Sequence, residues 1–116
     1  MHRLDRINEK IIDSERISAL AHRLRTKGQR VVFTNGVFDI LHRGHIALLN
    51  QASEQGDFLI LGLNSDSSVK TLGKGPERPI NGENDRALVL AAIQCVDAVV
   101  IFDESTPYQL VKIIEP

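Results

Sequence analysis

Apolar positions fall along the chain in two patterns. In the first they recur at helical spacing. Ile17, Leu20, Ala21 and Leu24 form one stripe behind Asp13 or Ser14, either of which suits a helix N-cap. Arg23, Arg25 and Lys27 suit the C-terminal end of that helix, and Gly28 suits its stop. In the second pattern the apolar residues run unbroken, within Arg30–Thr34, Phe58–Leu63 and Ala98–Phe102. Short continuous runs of this kind read as strands covered on both faces. Helical patterns fill the gaps: one from Gly44 to about Gln55, one from Asn84 or Asp85 through Ile93, and one entered through Asp103–Pro107. Tyr108, Leu110, Val111 and Ile114 supply the buried face of the last. The resulting order, α-β-α-β-α-β-α, predicts an α/β fold: a Rossmann-like, doubly wound parallel sheet with helices on both faces.

Two segments fall outside this rhythm. Leu4, Ile7 and Ile11 stand at helical spacing among charges, so residues 1–13 read as an N-terminal arm ahead of a domain at 14–116. The arm is either a short helix lying on the domain or on a partner chain, or a frayed end; it would permit a homodimer. The second segment, Lys70 to Gly82, is rich in glycine and proline and carries Lys70, Lys74 and Arg78. A loop of this length in a small domain is usually functional or mobile. Just before it, Asn64–Ser68 is all polar, and Asp66 or Ser67 suits the cap of a short helical turn.

Composition narrows the function. The chain has 116 residues, 42% of them apolar, enough to bury a core in one domain. A net charge of −1 and sparse aromatics give no footprint for nucleic acid or an anionic membrane. The single cysteine, Cys95, excludes an intrachain disulfide and reads as a small apolar residue. Apolar runs stop well short of the roughly 20 residues of a membrane span. Met1–Lys10 is charged and lacks a signal-peptide core, so the expected location is cytoplasmic.

The candidate chemistry lies in Asn35–His45. The first strand feeds a glycine-containing turn, the turn feeds a helix start, and His42 and His45 stand at that start. A helix N-terminus carries unpaired N–H groups and partial positive charge, and so attracts anions. Two imidazoles donating at the same place make a phosphate site. In parallel α/β sheets ligands sit at the strand C-termini, at a topological switch point, so the histidine turn and Asn64-Ser65-Asp66 are expected to face one crevice. For a nucleoside triphosphate over the turn, Gly36 and Gly44 would allow close approach, and the histidines would donate to phosphate oxygens as charge builds in an in-line attack at the α-phosphorus. A phosphate acceptor is already anionic near neutral pH and needs no general base. Mg²⁺ would bridge the triphosphate oxygens. No third ligand follows His42 and His45 at zinc spacing, and no Gly-x-Gly-x-x-Gly follows the first strand.

The segment Gly36–His45, with His42-Arg43-Gly44-His45, resembles the signature of the nucleotidyltransferase superfamily that carries a His-x-Gly-His motif. Asp57–Lys70, Lys74–Asn81, Asn84–Ala87 and Cys95–Val100 resemble one branch, the heptose 1-phosphate adenylyltransferases, over roughly residues 14–116. The resemblance implies an enzyme that joins AMP from ATP to D-glycero-D-manno-heptose 1-phosphate, giving ADP-heptose and pyrophosphate for lipopolysaccharide core synthesis. It implies His42, His45 and Lys74 as catalytic residues, with Lys70 a rival to Lys74. It implies nucleotide contacts from Asn35, Gly36, Val37, Phe38, Asp39, Gly44, Asn64, Asp66 and Arg86, and no metal site built from protein side chains. Asp39 is assigned to metal or to holding the turn, and Arg86 to phosphate. Val37 replaces the cysteine or hydroxyl residue common there, and Gln94-Cys95 replaces the Arg-Tyr of glycerol 3-phosphate cytidylyltransferases. The family continues into a fourth strand, a fifth strand and a Ser/Thr-rich helix start that holds the nucleotide, so the domain is expected to be C-terminally incomplete. Two other readings stay open: a cytidylyltransferase for a polyol phosphate, and a non-catalytic nucleotide-binding module.

Overall fold

The computed structural model describes every residue except Met1, Lys74 and Pro76. The chain order is α1 (Arg3–Glu9), α2 (Ser14–Thr26), β1 (Val31–Gly36), α3 (Arg43–Ser53), β2 (Phe58–Asn64), α4 (Asp66–Thr71), α5 (Glu83–Ala91), β3 (Ala98–Phe102) and α6 (Tyr108–Ile114). The strands form one parallel sheet in the order β1-β2-β3, with Val31 opposite Phe58 and Ile60 opposite Ala98. An aspartate precedes each of the last two strands and helps set this register. Asp57 Oδ2 accepts the backbone N–H of Arg30 at 2.7 Å, and Asp97 Oδ2 accepts that of Leu59 at 2.7 Å.

The unbroken apolar runs supply both faces at once, because successive strand residues point to opposite sides. Leu59, Leu61 and Leu63 enter a core with Leu49 of α3 and Ala87, Leu90 and Ala91 of α5. Ile60, Ala98 and Val100 enter the other, with Ile17 and Ala21 of α2 and Leu110 and Ile114 of α6. The sheet is therefore covered by helices on both faces, as the element order predicts. Gly62 has a packing role on the α2–α6 side: a Cβ there would lie 2.7 Å from Phe33 Cζ.

Of the alternatives for the N-terminal segment, the structure has the helix lying on its own domain. Ile7 and Ile11 pack against the α3–α5 core. Lys10–Ile12 runs along the outer edge of β3, where Val99 N–H donates to Lys10 O at 2.8 Å and Ile12 N–H to Val99 O at 2.9 Å. Within the stripe that would permit a dimer, Leu4 alone stays exposed.

Three local expectations need correction. The cap of α4 is Ser65, whose hydroxyl accepts the Ser68 N–H at 3.2 Å, so Asp66 is inside the helix rather than its cap. Part of the expected loop from Lys70 is helical, since α4 reaches Thr71. The strand order shows no reversal among the described strands, so the histidine turn stands at the end of the edge strand β1 and not between two diverging strands.

Candidate functional site

The histidine turn is built by reciprocal capping. His42 is the N-cap of α3, and its Nδ1 accepts the Gly44 N–H at 3.0 Å. His45 Nδ1 in turn accepts the His42 N–H at 3.1 Å. A neutral imidazole that accepts on Nδ1 carries its proton on Nε2. Both rings therefore hold an Nε2–H donor, and no hydrogen bond among the described residues uses either. The ring centroids lie 4.0 Å apart. Burial, and then the charge of neighbouring His42, push the His45 pKa below its ordinary 6.5, so His45 is a neutral donor near pH 7.

Two residues of the turn set these rings. A Cβ on Gly44 would lie 2.8 Å from His42 Cε1 and 3.0 Å from its Nδ1, so the missing side chain makes room for the capping imidazole. Phe38 adopts a left-handed backbone, φ 48°, and its ring meets His45 edge-on with centroids 5.7 Å apart. Gly36 serves that ring, because a Cβ there would lie 2.8 Å from Phe38 Cε2. In this structure the space at both glycines is filled by neighbouring protein rings.

Asp39 ties the turn to the segment after α4. Its Oδ2 accepts from Arg78 Nη1 at 3.0 Å and from Ile80 N–H at 2.7 Å, and its Oδ1 accepts from Asn81 N–H at 2.8 Å. Asn81 Nδ2 returns a bond to the Asp39 carbonyl at 2.8 Å. Burial raises the carboxyl's pKa, but the Asn81 and Ile80 N–H groups and the Arg78 guanidinium outweigh it and hold the group below its ordinary 3.8. In the structure Asp39 holds the turn through these bonds. Its Oδ1 accepts one hydrogen bond, so the carboxylate keeps a lone pair with which it would face a hydrated Mg²⁺ carried in on a triphosphate. Among the described residues no three potential metal-ligating side chains converge.

Arg86 is the second tie. Its side chain is 1% exposed and its guanidinium meets three segments. Nη1 donates to the carbonyls of Val37 and Asn64, both at 2.8 Å, Nε to the Asn81 carbonyl at 2.9 Å, and Nη2 to Asp66 Oδ1 at 2.7 Å. The residue expected at phosphate is thus an internal clamp. It joins the ends of β1 and β2 to the loop before α5. Asn64 is buried beneath this clamp, and Asp66 faces Arg86, so neither lines the cleft as the shared-crevice expectation required.

The cleft has a volume of about 410 Å³ and is lined by Val37, Phe38, Asp39, His45 and Arg78. His42 is exposed beside it, and Asn35 is exposed at the end of β1. Lys70 is exposed in the last turn of α4 and does not line the cleft. Lys74 lies outside the described residues. A smaller pocket of about 210 Å³ lies on the other side of Phe38 and Asp39, against Ile40 and Val89. Arg78 and Asn81 are the site residues that sequence reasoning did not assign. In the sequence Arg78 is one of three loop cations and part of the stretch that resembles the heptose branch, without an assigned role, and nothing local marks Asp39 as its partner 39 residues away.

Comparison with known proteins matches residues 33–116 to the cytidylyltransferase-like family. The chain is 56% identical over 109 residues to the bifunctional protein HldE of Aliarcobacter butzleri, and 54% identical over 108 residues to that of Wolinella succinogenes. These matches cover 94% and 93% of this chain but 23% of each relative, so the chain spans about a quarter of their length. The chain is also similar to the crystal structure of the lipopolysaccharide core biosynthesis protein from Thermoplasma volcanium GSS1. That match has a TM-score of 0.70 and 34% identity, and covers 77% of this chain and 70% of the other.

Proposed function

The chain belongs to the cytidylyltransferase-like family, and we propose that it transfers AMP from ATP to D-glycero-D-manno-heptose 1-phosphate, releasing pyrophosphate. The observation that carries this reading is the pair of Nε2–H donors held side by side at the start of α3. The name of one similar structure, a lipopolysaccharide core biosynthesis protein, supports a place in lipopolysaccharide precursor synthesis. The heptose acceptor rests on the resemblance of Asp57–Lys70, Lys74–Asn81 and Cys95–Val100 to the heptose 1-phosphate adenylyltransferases.

The triphosphate lies over the N-terminus of α3. An oxygen of the acceptor phosphate forms the new bond to the α-phosphorus. The bond from that phosphorus to the bridging oxygen breaks, and pyrophosphate leaves with its electron pair. The acceptor oxygen is already ionised, so no side chain removes a proton. His42 and His45 act as hydrogen-bond donors to oxygens whose charge grows in the transition state, and donors fixed in advance favour that state over the ground state. Mg²⁺ brought in with ATP would supply positive charge against the triphosphate, and Asp39 is the cleft carboxylate that would face it.

The cytidylyltransferase-like family name is shared by one rival reading, a cytidylyltransferase, for which the sequence offers a polyol phosphate as acceptor. Pyrophosphate release from ATP and from CTP, each with heptose 1-phosphate or glycerol 3-phosphate, separates the two. Release from ATP with the heptose that disappears in His45→Ala is the expected result. Release from CTP with glycerol 3-phosphate would replace this reading by its rival.

A further inference from the structure

Nucleotidyl transfer brings two anions together, a triphosphate and an acceptor phosphate, and the two capping histidines supply donors for one of them. The same cleft is lined by a cation, Arg78. Among the described residues lining the cleft, Arg78 carries the only fixed positive charge. Its side chain is 36% exposed, and its Nη1 is held on Asp39 Oδ2 at 3.0 Å. No hydrogen bond among the described residues takes Nη2 or Nε, so one edge of the guanidinium is anchored and another is left for a ligand. A planar fork fixed on one side by a carboxylate is pre-organised for bidentate binding of a phosphate on the other.

The anchor is itself rigid. Asp39 also accepts the Ile80 and Asn81 backbone N–H groups, so the loop carrying Arg78 stays docked without the guanidinium. The Asp39 carboxyl is held below its ordinary 3.8, so it is ionised and keeps Arg78 anchored near neutral pH, where the acceptor phosphate is charged.

From this geometry we infer that Arg78 ligates the phosphate of the acceptor, with Asp39 as its positioning residue. The inference rests on the nucleotidyl-transfer reading for the identity of the acceptor. It predicts that Arg78 governs acceptor binding while nucleotide binding stays with the histidine turn.

The test is calorimetric titration of heptose 1-phosphate into the protein holding a non-hydrolysable ATP analogue, with wild type, Arg78→Ala and Arg78→Lys. Loss of a charge-assisted bidentate contact weakens acceptor binding by about tenfold to a hundredfold. The Kd for the ATP analogue should move less than about twofold, and Arg78→Lys should recover part of the acceptor loss. The amide resonances of Ile80 and Asn81 report whether the loop stays docked. Acceptor binding that is absent in wild type, or equal in wild type and Arg78→Ala, overturns the inference. So does a loss confined to the ATP analogue. So does Arg78→Lys no better than Arg78→Ala with the loop amides displaced, which would make the residue purely structural. Pyrophosphate release in parallel separates the two claims. Turnover with acceptor binding indifferent to Arg78 sinks this inference alone, whereas Arg78-dependent binding without turnover sinks the nucleotidyl-transfer reading alone.

Discussion

His45 accepts the backbone N–H of His42 on Nδ1 at 3.1 Å, so one imidazole both holds the start of α3 and presents Nε2–H to the cleft. Gln is a preferred partner at this third helical position in a capping box, so His45→Gln keeps a cap through its Oε1 while exchanging the titratable imidazole for an amide, and His45→Ala loses both cap and donor. The account predicts a His45→Gln melting temperature near that of wild type. His45→Ala should lose on the order of 1 kcal/mol, read by thermal or urea denaturation.

Gly44 and His42 should be energetically coupled. Gly44→Ala places a Cβ about where the His42 ring now sits, 2.8 Å from Cε1, and apart from its two chain neighbours and the local helix backbone no other described atom lies within 4 Å of that position. Alone, the substitution displaces the capping imidazole and should cost about 1 kcal/mol. In a His42→Ala background the space is empty, and the same change should be neutral or gain a few tenths of a kcal/mol from helix propensity. A double-mutant cycle by urea denaturation measures this difference, and additive costs would contradict the assignment.

Arg86 should matter to the fold more than to substrate binding. Arg86→Met leaves Asp66 without its cation and the carbonyls of Val37, Asn64 and Asn81 without their donor. Each buried carbonyl left without a donor costs about 1–3 kcal/mol, while the half-exposed Asp66 adds little. The expected result is a large fall in urea midpoint, only partly relieved in Arg86→Lys, whose single ammonium cannot reproduce the fork. An Arg86→Met protein of wild-type stability would show that the clamp is dispensable.

Acid should loosen the site in two stages. The folded state holds His45 below 6.5, so the unfolded chain binds the extra proton first as pH falls. Stability from this group is complete above pH 6.5 and declines as pH drops through the window between that value and the lowered folded pKa. Protonation also turns Nδ1 into a donor, which is incompatible with accepting the His42 N–H. Asp39 adds a second decline, because its folded pKa lies below 3.8 and its contribution is lost as pH falls from there through the folded pKa. Melting curves against pH should show both steps, and His45→Gln should remove the first alone.

The three strands and both helical layers were legible because unbroken apolar runs and helical stripes are local signals. The histidine turn was legible for the same reason, since His42 and His45 are three residues apart and follow a strand. What sequence did not reveal is long-range. Arg86 reaches carbonyls and a carboxylate 5, 20, 22 and 49 residues away, and Asp39 reaches a loop 39 to 42 residues away. In the sequence Asp39 is therefore open between metal and the turn and Arg86 reads as a phosphate contact, whereas in the fold both side chains tie distant segments together. Gly36 and Gly44 were read as openings for phosphate, because a glycine's sequence does not say whose atoms take the space. The short helix α4 was undervalued because its stop lies inside a glycine-rich stretch, while its Ser65 cap is one residue earlier than the polar run suggests.

The central claim is that His45 Nε2–H stabilises the transition state of adenylyl transfer. The initial rate of pyrophosphate release from ATP and heptose 1-phosphate, in wild type and in His45→Ala at a temperature where both are folded, tests it most directly. Wild type should turn over and the variant should lose about 10²–10³ in kcat, the effect of removing one pre-organised oxyanion donor. Equal rates in the two proteins would contradict it.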